Sequence, residues 1–310
     1  HHYHYDDYEP PPLKPRQFLL PLVLLIVIGL LFVKLFSLQV VQGAEYRQLA
    51  DSNRMRTQII HAPRGIIFDR YGTPLVYNIP GFRRTILDKK TGQIASTAVI
   101  TKEEALEQIA EGAQDISIAS LRQYPYSETT SHILGYIGQI SAEETKEKTF
   151  EGYLPTEWVG KNGIEKSYEY LLKGIDGQQL IEVNAMGEKV RSLGETDPIA
   201  GQDVTLTLAL PVQKAAYLAM KDAKKGAVIV SKPDGQILAM ASVPSYDANL
   251  FTMDKTYKAS STSAYTKLSE VLLDGENHPL LNRAIGGVYP PASTFKLITA
   301  LSALSKGAIT

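Results

Sequence analysis

The sequence predicts an α+β protein that is held at a membrane by a single N-terminal helix. An apolar run near the N-terminus predicts the anchor, and β-rich stretches mixed with helix start signals between residues 42 and 200 predict mixed secondary structure. A change of pattern near residue 201 predicts a second domain. The length of 310 residues is sufficient for two domains, and 44% hydrophobic with 21% charged residues is ordinary for packed globular protein.

The charge balance and the composition argue against several classes of function. Lys and Arg number 32 against 33 Asp and Glu, so the net charge of -1 gives no field that would attract nucleic acid. The chain has no cysteine, which excludes disulfides, thiolate metal sites and a cysteine nucleophile. His61, His132 and His278 are far apart in the sequence and in different contexts. We therefore expect ordinary hydrogen-bonded histidines rather than a metal site.

Residues 18–41 predict a transmembrane anchor. The uncharged run 18–33 is short for a bilayer, but a helix that continues to residue 41, with Lys34 reaching the interface, supplies the roughly 20 residues that a span requires. A cleavable signal peptide is disfavoured because the core is long and "VQGA" follows it in place of an A-x-A site. A core helix of a soluble protein is disfavoured because the run is uniformly apolar.

The basic residues before this run predict its orientation. Lys14 and Arg16 precede the span, and acidic residues count little in the positive-inside rule. We therefore expect residues 1–17 to form a short, unfolded cytoplasmic tail. The bulk of the chain then lies outside the cytoplasm, as in a single-pass membrane protein.

Residues 42–200 predict an α+β region without a convergent polar cluster, which we call the pedestal. "GAEYRQLADSNRMRT" predicts a helix, and "TQIIHAPRGIIFDRYGTPLVYN" predicts two strands joined by a turn at Asp69–Gly72. Arg64, Asp69 and Arg70 of this segment are expected to be solvated or turn residues. A second hairpin is predicted in "QQLIEVNAMGEKVRSL", with its turn near Asn184–Gly187.

Two helix starts are predicted within the pedestal. Thr101 with Glu104 and Ser141 with Glu144 both have the spacing of a capping box, in which a hydroxyl and a carboxylate each accept a backbone N–H. We therefore expect a helix to begin at each of these positions.

Residues 201–310 predict a helix packed on an antiparallel sheet, followed by a second helix. In "GQDVTLTLALPVQKAAYLAMKDAKKGAVIVSKPDGQILAMAS" a strand is followed by a helix that opens around Pro211 and by two strands joined at "KPDG". From Thr294 to Leu304 apolar residues cover nearly the whole helix circumference, which predicts burial on all sides. Pro290 and Pro291 precede this helix, and Lys306 with Gly307 marks its end.

Ser293 and Lys296 are the candidate catalytic residues. They lie three positions apart, so the hydroxyl and the amine are on neighbouring turns of one helix face. A helix N-terminus favours developing negative charge, and a desolvated lysine has a lowered pKa that suits it to take a proton from serine. The alternative is an N-cap serine beside a surface lysine. That alternative would be favoured for an isolated SxxK pattern, and the predicted burial of the helix favours catalysis here.

These residues are part of a wider resemblance. "YPPASTFK" resembles the SxxK motif of the penicillin-recognising serine enzymes. "APRGIIFDRYGTPLVYN", "RQYPYSETTSHILGYIGQIS", "VGKNGIEKSYEYLLKGIDGQ", "DGQILAMASVPSYDANLF" and "LLNRAIGGVYPPASTFK" resemble, in this order, segments of the class B penicillin-binding proteins. The likeness covers about residues 18 to 310. "SHILGYIGQIS" and "GKNGIEKSYE" are most similar to the elongation-type member, penicillin-binding protein 2.

The resemblance implies a fold, a reaction and a set of partners. The implied fold is a dimerisation-like pedestal at 42–200 and the first part of a serine β-lactamase-like transpeptidase domain at 201–310. Ser293 would be acylated by a peptidoglycan stem peptide or by a β-lactam, with Lys296 as general base and no cofactor. The implied location is the bacterial inner membrane. The implied partners are stem peptides, the lipid-linked precursor, a membrane glycosyltransferase and elongation-complex proteins.

The sequence also departs from the family pattern. Ala292 replaces the usual glycine, "LTLALP" lacks a common aspartate, and the stretch between "VYNIP" and "RQYPY" is shortened. No SxN or KTG motif follows residue 296, so we expect a truncated transpeptidase domain that is inactive alone. "PASTFK" is also similar to class D β-lactamases and their sensor relatives, which leaves a β-lactam hydrolase or sensor as one alternative. A non-catalytic scaffold of the elongation complex is the other.

Overall fold

The computed structural model describes residues 15–87, 94–113, 115–147, 150–154, 156–184 and 189–309. The helices are α1 (Pro15–Phe36), α2 (Gly43–Arg54), α3 (Lys102–Ala110), α4 (Ser127–Leu134), α5 (Gly163–Ser167), α6 (Glu169–Leu172), α7 (Leu210–Ala219), α8 (Leu268–Leu273), α9 (Arg283–Gly286) and α10 (Lys296–Ser305). The strands are β1 (Met55–Ile60), β2 (Ile67–Phe68), β3 (Pro74–Leu87), β4 (Ile94–Ile100), β5 (Ile116–Gln123), β6 (Ile137–Gln139), β7 (Trp158–Gly160), β8 (Gly177–Val183), β9 (Lys189–Thr196), β10 (Val204–Thr205), β11 (Gly226–Ser231) and β12 (Ile237–Val243).

The chain divides into two compact units. The first comprises His1–Gln58 with Gln179–Glu195, and the second comprises Ile59–Gln178 with Thr196–Thr310. The second unit holds every residue of the candidate active site. The predicted boundary between residues 200 and 201 follows a different criterion, the sequence pattern, and stays a prediction.

The first unit contains the apolar helix. Helix α1 continues through a π-helical turn at Ser37–Val41, and the stretch Pro21–Val41 has mean hydropathy 2.6 with no burial inside the protein, so it is long and apolar enough to cross a membrane. This helix fits the predicted single-pass anchor. The helix predicted next is confirmed as α2, which ends at Arg54 where β1 begins. Strands β1, β8 and β9 form one sheet in that order.

The second hairpin prediction is confirmed where the structure describes it. Strands β8 and β9 are neighbours in the sheet of the first unit. Of the predicted turn, residues 185–188 lie outside the described residues.

The larger sheet of the second unit is centred on β3. Its order is β10–β2–β3–β4, and β5 also pairs with β3. The predicted turn at Asp69–Gly72 joins β2 to β3, and the Gly72 N–H donates to the Asp69 carbonyl at 3.1 Å. Gly72 has a φ of 82°, a conformation that glycine adopts without a Cβ clash. The predicted hairpin is therefore confirmed.

Helix α7 packs on the β11–β12 hairpin, as predicted. The two strands are antiparallel, and the Gly235 N–H closes the turn by donating to the Lys232 carbonyl at 3.0 Å. Pro211 lies in the first turn of α7, where its missing N–H has no helical partner to lose. The shared core of helix and sheet consists of Ala216, Met220, Ala239, Ala241 and Val243.

The main core joins the pedestal to the residues after 201. Leu75 and Leu134 from the pedestal share it with Leu208 and Tyr246 from the later segment. Because these side chains are buried in one continuous cluster, the two sequence regions stabilise each other.

At both predicted capping positions the hydroxyl accepts a backbone N–H, and the reciprocal carboxylate contact is present at the second. Thr101 caps α3 and its hydroxyl accepts the Glu104 N–H at 3.1 Å. Ser141 and Glu144 cap each other reciprocally, at 2.8 and 3.2 Å. The second box begins only a short 3-10 turn at Glu144–Lys146, so the helix predicted there is one turn long.

The prediction that Arg64 is a solvated or turn residue was wrong. Its side chain is buried and donates to Glu165 at 2.7 Å and to Glu169 at 2.6 Å. Arg122 also donates to Glu165, at 2.8 Å, and these four residues form what we call the Glu165 cluster. Burial alone would lower the pKa of Arg64, but the two carboxylates beside it raise that pKa. The partners are about one hundred residues from Arg64, separated by 101 and 105 positions, so local sequence does not reveal them.

Asp69 is a turn residue, as predicted, but it is buried rather than solvated. One carboxylate oxygen accepts the N–H groups of Tyr71 and Thr73, both at 2.9 Å. The other accepts the Leu210 N–H at the start of α7, at 3.1 Å. Burial raises the pKa of Asp69, but these hydrogen bonds lower it below its usual value. Asp69 therefore ties the β2–β3 turn to helix α7.

Candidate active site

The segment that leads to Ser293 is anchored by Asn282 and Arg283. The Asn282 amide donates to the His132 carbonyl of α4 at 2.9 Å, and its oxygen accepts the Ala284 N–H at 3.1 Å to cap α9. The Arg283 N–H donates to the Ser242 hydroxyl of β12 at 3.0 Å. These contacts fix the segment to both a pedestal helix and a strand of the later sheet.

The side chain of Arg283 is buried and braces the preceding loop. Its guanidinium donates to the backbone carbonyls of His278 at 3.2 Å and Leu281 at 3.4 Å, and also to the carbonyl of Asn277. Because these acceptors are backbone groups, the guanidinium holds the loop shape without depending on another side chain.

His132, which contacts this anchored segment, has a neutral ring. Its Nε2 is 2.8 Å from the Pro279 carbonyl, which can only accept, so Nε2 carries the proton. Burial, with the nearby charge of Arg283, lowers the pKa of His132 to about 4. The ring also meets Tyr246 edge to face, with centroids 5.4 Å apart. His61 has a different partner, the Asp176 carboxylate at 3.0 Å.

Ser293 and Lys296 follow a sharp change of chain direction at Ala292. Residues Ala292–Phe295 form a 3-10 turn in which the Lys296 N–H donates to the Ser293 carbonyl. Ala292 has a φ of 45°, in the left-handed region where a Cβ is unfavourable. This conformation gives a physical reason for the glycine usual at this position in the family that the sequence resembles.

The structure places the two candidate residues one after the other along this turn. Ser293 belongs to the 3-10 turn, and Lys296 is the first residue of α10. The predicted helix therefore begins two residues later than expected, and it ends, as predicted, at Lys306 and Gly307. Both side chains are exposed to solvent. Their roles stay a prediction.

The prediction that this helix is buried on all sides was wrong for the chain described here. No residue of α10 is buried, and Leu297 and Leu301 are 73% and 66% exposed. The sequence pattern indicates that each face of the helix suits an apolar neighbour, but the described residues supply none. The burial that was expected to desolvate Lys296 is therefore not provided by the described part of the chain.

The anchoring roles of Asn282, Arg283, Ser242 and His132 were not predicted from the sequence. Asn282 and Arg283 lie within the quoted "LLNRAIGGVYPPASTFK", so the resemblance contained the signal. Their partners are separated from them by 150 and 41 positions, which no local pattern indicates. Within the described ranges, no group of three or more His, Asp or Glu side chains is arranged to hold a metal ion.

Two family models match the chain. The model described as the penicillin-binding protein dimerisation domain matches residues 99–206. The model described as the penicillin-binding protein transpeptidase domain matches residues 225–310, a range that includes Ser293 and Lys296.

Curated relatives and solved structures agree with these models. The peptidoglycan D,D-transpeptidase MrdA of Escherichia coli (strain K12) is 32% identical over 93% of this chain and 51% of its own length. The chain thus spans about half the length of the curated relatives it matches. A complex between penicillin-binding protein 2 and MreC from Helicobacter pylori matches with a TM-score of 0.61 and 25% identity over 83% of this chain and 53% of that one. A structure of a peptidoglycan synthase complex matches with a TM-score of 0.56 and 30% identity over 96% of this chain and 56% of that one.

Proposed function

This chain belongs to the penicillin-binding proteins that join a dimerisation domain to a transpeptidase domain, and from that premise we propose that it is an elongation-type peptidoglycan D,D-transpeptidase. The observation that carries the proposal is the position of Ser293 in an exposed turn within the segment that matches the transpeptidase model. Lys296 stands at the N-terminal end of α10 behind it.

The proposed reaction has two acyl transfers. Ser293 Oγ attacks the carbonyl carbon of the penultimate D-alanine of a stem peptide while Lys296 accepts the hydroxyl proton. The peptide bond breaks, the terminal D-alanine leaves with that proton on its amine, and an ester to Ser293 remains. An amine of a second stem peptide then attacks the ester, forming an amide crosslink, and its proton returns through Lys296 to Ser293.

Penicillin enters the same first step. Its strained amide replaces the stem-peptide bond, so the acyl group forms on Ser293 while the ring nitrogen takes the proton. Because the leaving nitrogen stays tethered to the acyl group, the adduct retains the whole mass of the drug. The hydrolase alternative differs in the second step, because water would then release the adduct quickly.

The test is labelling with a fluorescent penicillin in a form extended past residue 310 by the sequence that its gene encodes. We expect Ser293→Ala to abolish labelling and Lys296→Ala to slow it by about 10² to 10⁴, the usual worth of general-base assistance. Ser305→Ala and Lys306→Ala, at the last residue and the C-cap of α10, are matched controls that should label normally. Normal labelling of Ser293→Ala would refute the catalytic assignment. Rapid loss of label from the unsubstituted protein would favour the hydrolase, and no labelling of it would favour the scaffold.

We also propose that the 310-residue chain does not acylate efficiently by itself. The oxyanion and the substrate carboxylate need preorganised donors, which supply a large part of the rate. The family resemblance assigns these donors to the strand that carries the KTG motif, and no KTG follows residue 296 in the 310 residues. The extended form should therefore label and the 310-residue chain should not. Equal labelling of both forms would contradict this proposal.

For the location, we propose the bacterial inner membrane, with residues after about 42 outside the cytoplasm. The support is the apolar stretch Pro21–Val41 and the basic residues before it. Protease added to intact spheroplasts should then digest the bulk of the chain, whereas protection of the pedestal would reverse the topology.

The proposed partners are elongation-complex proteins and a membrane glycosyltransferase. The support is the likeness to a penicillin-binding protein 2 solved with MreC and to a peptidoglycan synthase complex. The proposed substrates are stem peptides and the lipid-linked precursor that carries them. Co-purification of the tagged chain with MreC from its own organism tests the proposed elongation-complex partners. Absence of MreC from the crosslinked and purified sample would contradict this proposal.

A further inference from the structure

Asn282 uses both ends of its side-chain amide, and the two ends hold different parts of the chain. The amide oxygen accepts the Ala284 N–H at 3.1 Å and so caps α9, whereas the amide nitrogen donates to the His132 carbonyl of pedestal helix α4 at 2.9 Å. An ordinary N-cap needs only the acceptor, which aspartate or serine supplies equally well. The donor to α4 is therefore an additional contact that capping does not explain.

His132 is also bonded to this segment through its ring. The ring Nε2 donates to the Pro279 carbonyl at 2.8 Å, three residues before Asn282. One residue of α4 thus bonds to two points of the segment that precedes Ser293, once through its side chain and once through its backbone. We call these two hydrogen bonds the His132 clamp. Both are at least partly buried, where a hydrogen bond is stronger than in water.

The clamped segment is flanked by backbone strain. His278 has a φ of 47° and Ala292 has a φ of 45°, and in the described part of the chain they are the two residues other than glycine with a positive φ. Such conformations persist only where the surrounding contacts hold them, and they cluster at active sites. The Arg283 guanidinium holds the His278 carbonyl at 3.2 Å. One strained residue therefore precedes the clamped segment, and the other lies directly before Ser293.

The chain between the clamp and Ser293 has little freedom. Helix α9 begins at Arg283, and the Gly287 N–H donates to the Arg283 carbonyl at 3.3 Å. A side chain at Gly287 would have no room, because its Cβ would lie 2.6 Å from that carbonyl oxygen. The rings of Pro290–Pro291 then fix two successive φ angles. A displacement at the clamp is therefore transmitted to Ser293 rather than absorbed by a flexible linker.

We propose that Asn282, through the His132 clamp, is a positioning residue that sets the place of Ser293 for acylation. The proposal rests on the transpeptidase function proposed above and adds a link between pedestal helix α4 and the nucleophile. Misplacing a reacting atom by about 1 Å can cost about 10² in rate. Loss of the clamp should therefore slow the acylation step more than it weakens the non-covalent binding of penicillin.

Asn282→Asp separates positioning from capping, because a carboxylate still accepts the Ala284 N–H but has no N–H to donate to the His132 carbonyl. In the form extended past residue 310, the dependence of the acylation rate on penicillin concentration gives the limiting rate constant and the binding constant separately. We expect the limiting rate constant to fall about 10- to 100-fold and the binding constant to change by less than about threefold. Asn282→Ser, whose shorter side chain caps α9 but does not reach α4, should give the same result without adding a charge.

Asn249→Asp is the matched control. The Asn249 amide nitrogen donates to the Tyr124 carbonyl at 2.9 Å, and its oxygen accepts the Tyr124 N–H at 2.9 Å. The same substitution therefore removes the same kind of hydrogen bond from a segment that does not lead to Ser293. We expect it to lower the melting temperature and to leave the limiting rate constant of the folded protein unchanged. Asn249→Ser replaces it if the buried charge prevents folding.

A second measurement tests the clamp without penicillin. The 310-residue chain has no cysteine, so spin labels at Ser293→Cys and at Tyr170→Cys, an exposed position of α6, report a single distance between the pedestal and the turn. In the chain in detergent, we expect Asn282→Asp to broaden the distribution of that distance. Asn249→Asp should leave the distribution as it is in the otherwise unsubstituted labelled chain.

The outcomes distinguish this role from the proposed function. An unchanged limiting rate constant in Asn282→Asp, or an unbroadened distance distribution, would overturn the positioning role and leave Ser293 as the nucleophile. A fall of the same size in Asn249→Asp would also overturn it, because the effect would then follow stability and not the clamp. Absence of labelling in the unsubstituted extended protein would overturn the proposed function and this role with it.

Discussion

The Glu165 cluster buries Arg64, which was expected to be a solvated or turn residue, whereas helix α10 exposes apolar side chains that were expected in a core. In the cluster, Glu165 is fully buried and receives hydrogen bonds from two guanidinium groups. In α10, no side chain is buried. Both lie in the second unit of the chain.

The difference teaches that burial depends on the availability of complementary groups rather than on residue type alone. Arg64 and Arg122 can be buried because Glu165 and Glu169 compensate their charges from within the described chain. Leu297 and Leu301 stay exposed because the described residues provide no apolar surface against them. Substitutions in the two regions should therefore differ most in their effect on stability.

The largest effect is expected from Glu165→Gln. Removing this carboxylate charge leaves Arg122 buried without an ion pair and Arg64 with one carboxylate instead of two. Breaking a buried pair in this way costs about 3–5 kcal/mol. Chemical denaturation of the 310-residue chain in detergent measures the loss. Glu107→Gln, at an exposed position of α3, should change the free energy of unfolding by less than about 0.5 kcal/mol.

The same substitution, leucine to alanine, should have different effects in the buried helix α4 and in the exposed helix α10. Leu134→Ala, at the fully buried end of α4, should lower the free energy of unfolding by about 2–5 kcal/mol through lost contacts and a cavity. Leu301→Ala, on exposed α10, should lower it by less than about 0.5 kcal/mol in the 310-residue chain. A large loss from Leu301→Ala would mean that α10 is packed in solution, contrary to its exposure in the structure.

Part of this fold could be predicted from the sequence, and the successes share one property. The turns at Asp69–Gly72 and at "KPDG" and the start of α7 at Pro211 depend on residues within a few positions of each other. The burial of Arg64 depends on Glu165 and Glu169 instead. Interactions between neighbouring residues thus predict the helices, strands and turns, but they do not predict the distant partners that determine burial.

The candidate site follows the same rule. The end of α10 at Lys306 and Gly307 could be predicted from neighbouring residues. The anchoring of Arg283 on Ser242 could not, because β12 is brought beside it only by the fold. The exposure of Lys296 could not either, since the apolar pattern of α10 describes what would suit the helix and not what surrounds it.

A smaller effect is expected from pH, through His132. Its folded pKa of about 4 is below the usual 6.5, so between these values the unfolded chain binds a proton that the folded chain does not. The free energy of unfolding should be highest above pH 6.5 and fall towards pH 4, by at most about 1.4 kcal/mol per pH unit. Most carboxylates do not titrate between pH 6.5 and 5, so this range separates the effect of His132 from theirs.

Denaturation at several pH values measures this fall. His132→Gln, whose amide can still donate to the Pro279 carbonyl, should flatten the profile from pH 6.5 to 5. The same substitution at exposed His61 should leave the fall in place. An unchanged profile in His132→Gln would show that His132 is not the group responsible.

The smallest effect is expected from Ala292→Gly. The left-handed conformation of Ala292 costs about 1–2 kcal/mol for a residue with a Cβ, and glycine would remove this cost. Glycine is also more flexible in the unfolded chain, which offsets about 0.4–1 kcal/mol of the stabilisation. Ala292→Gly should therefore stabilise the turn by about 1 kcal/mol or less and slow hydrogen exchange of the first α10 amides. Ala303→Gly, inside α10, should have the opposite sign. Faster exchange in Ala292→Gly would contradict this reading of the turn.

The central claim is that Ser293 is the acyl nucleophile, and peptide mapping of the penicillin adduct tests it most directly. Trypsin cleaves after Arg283 and Lys296, so one peptide, residues 284–296, carries Ser293 with two other hydroxyl side chains, Tyr289 and Thr294. In the form extended past residue 310, we predict that this peptide gains the full mass of the penicillin and that fragmentation assigns it to Ser293. An adduct on Thr294 or on another peptide, or no adduct on the extended form, would contradict the claim.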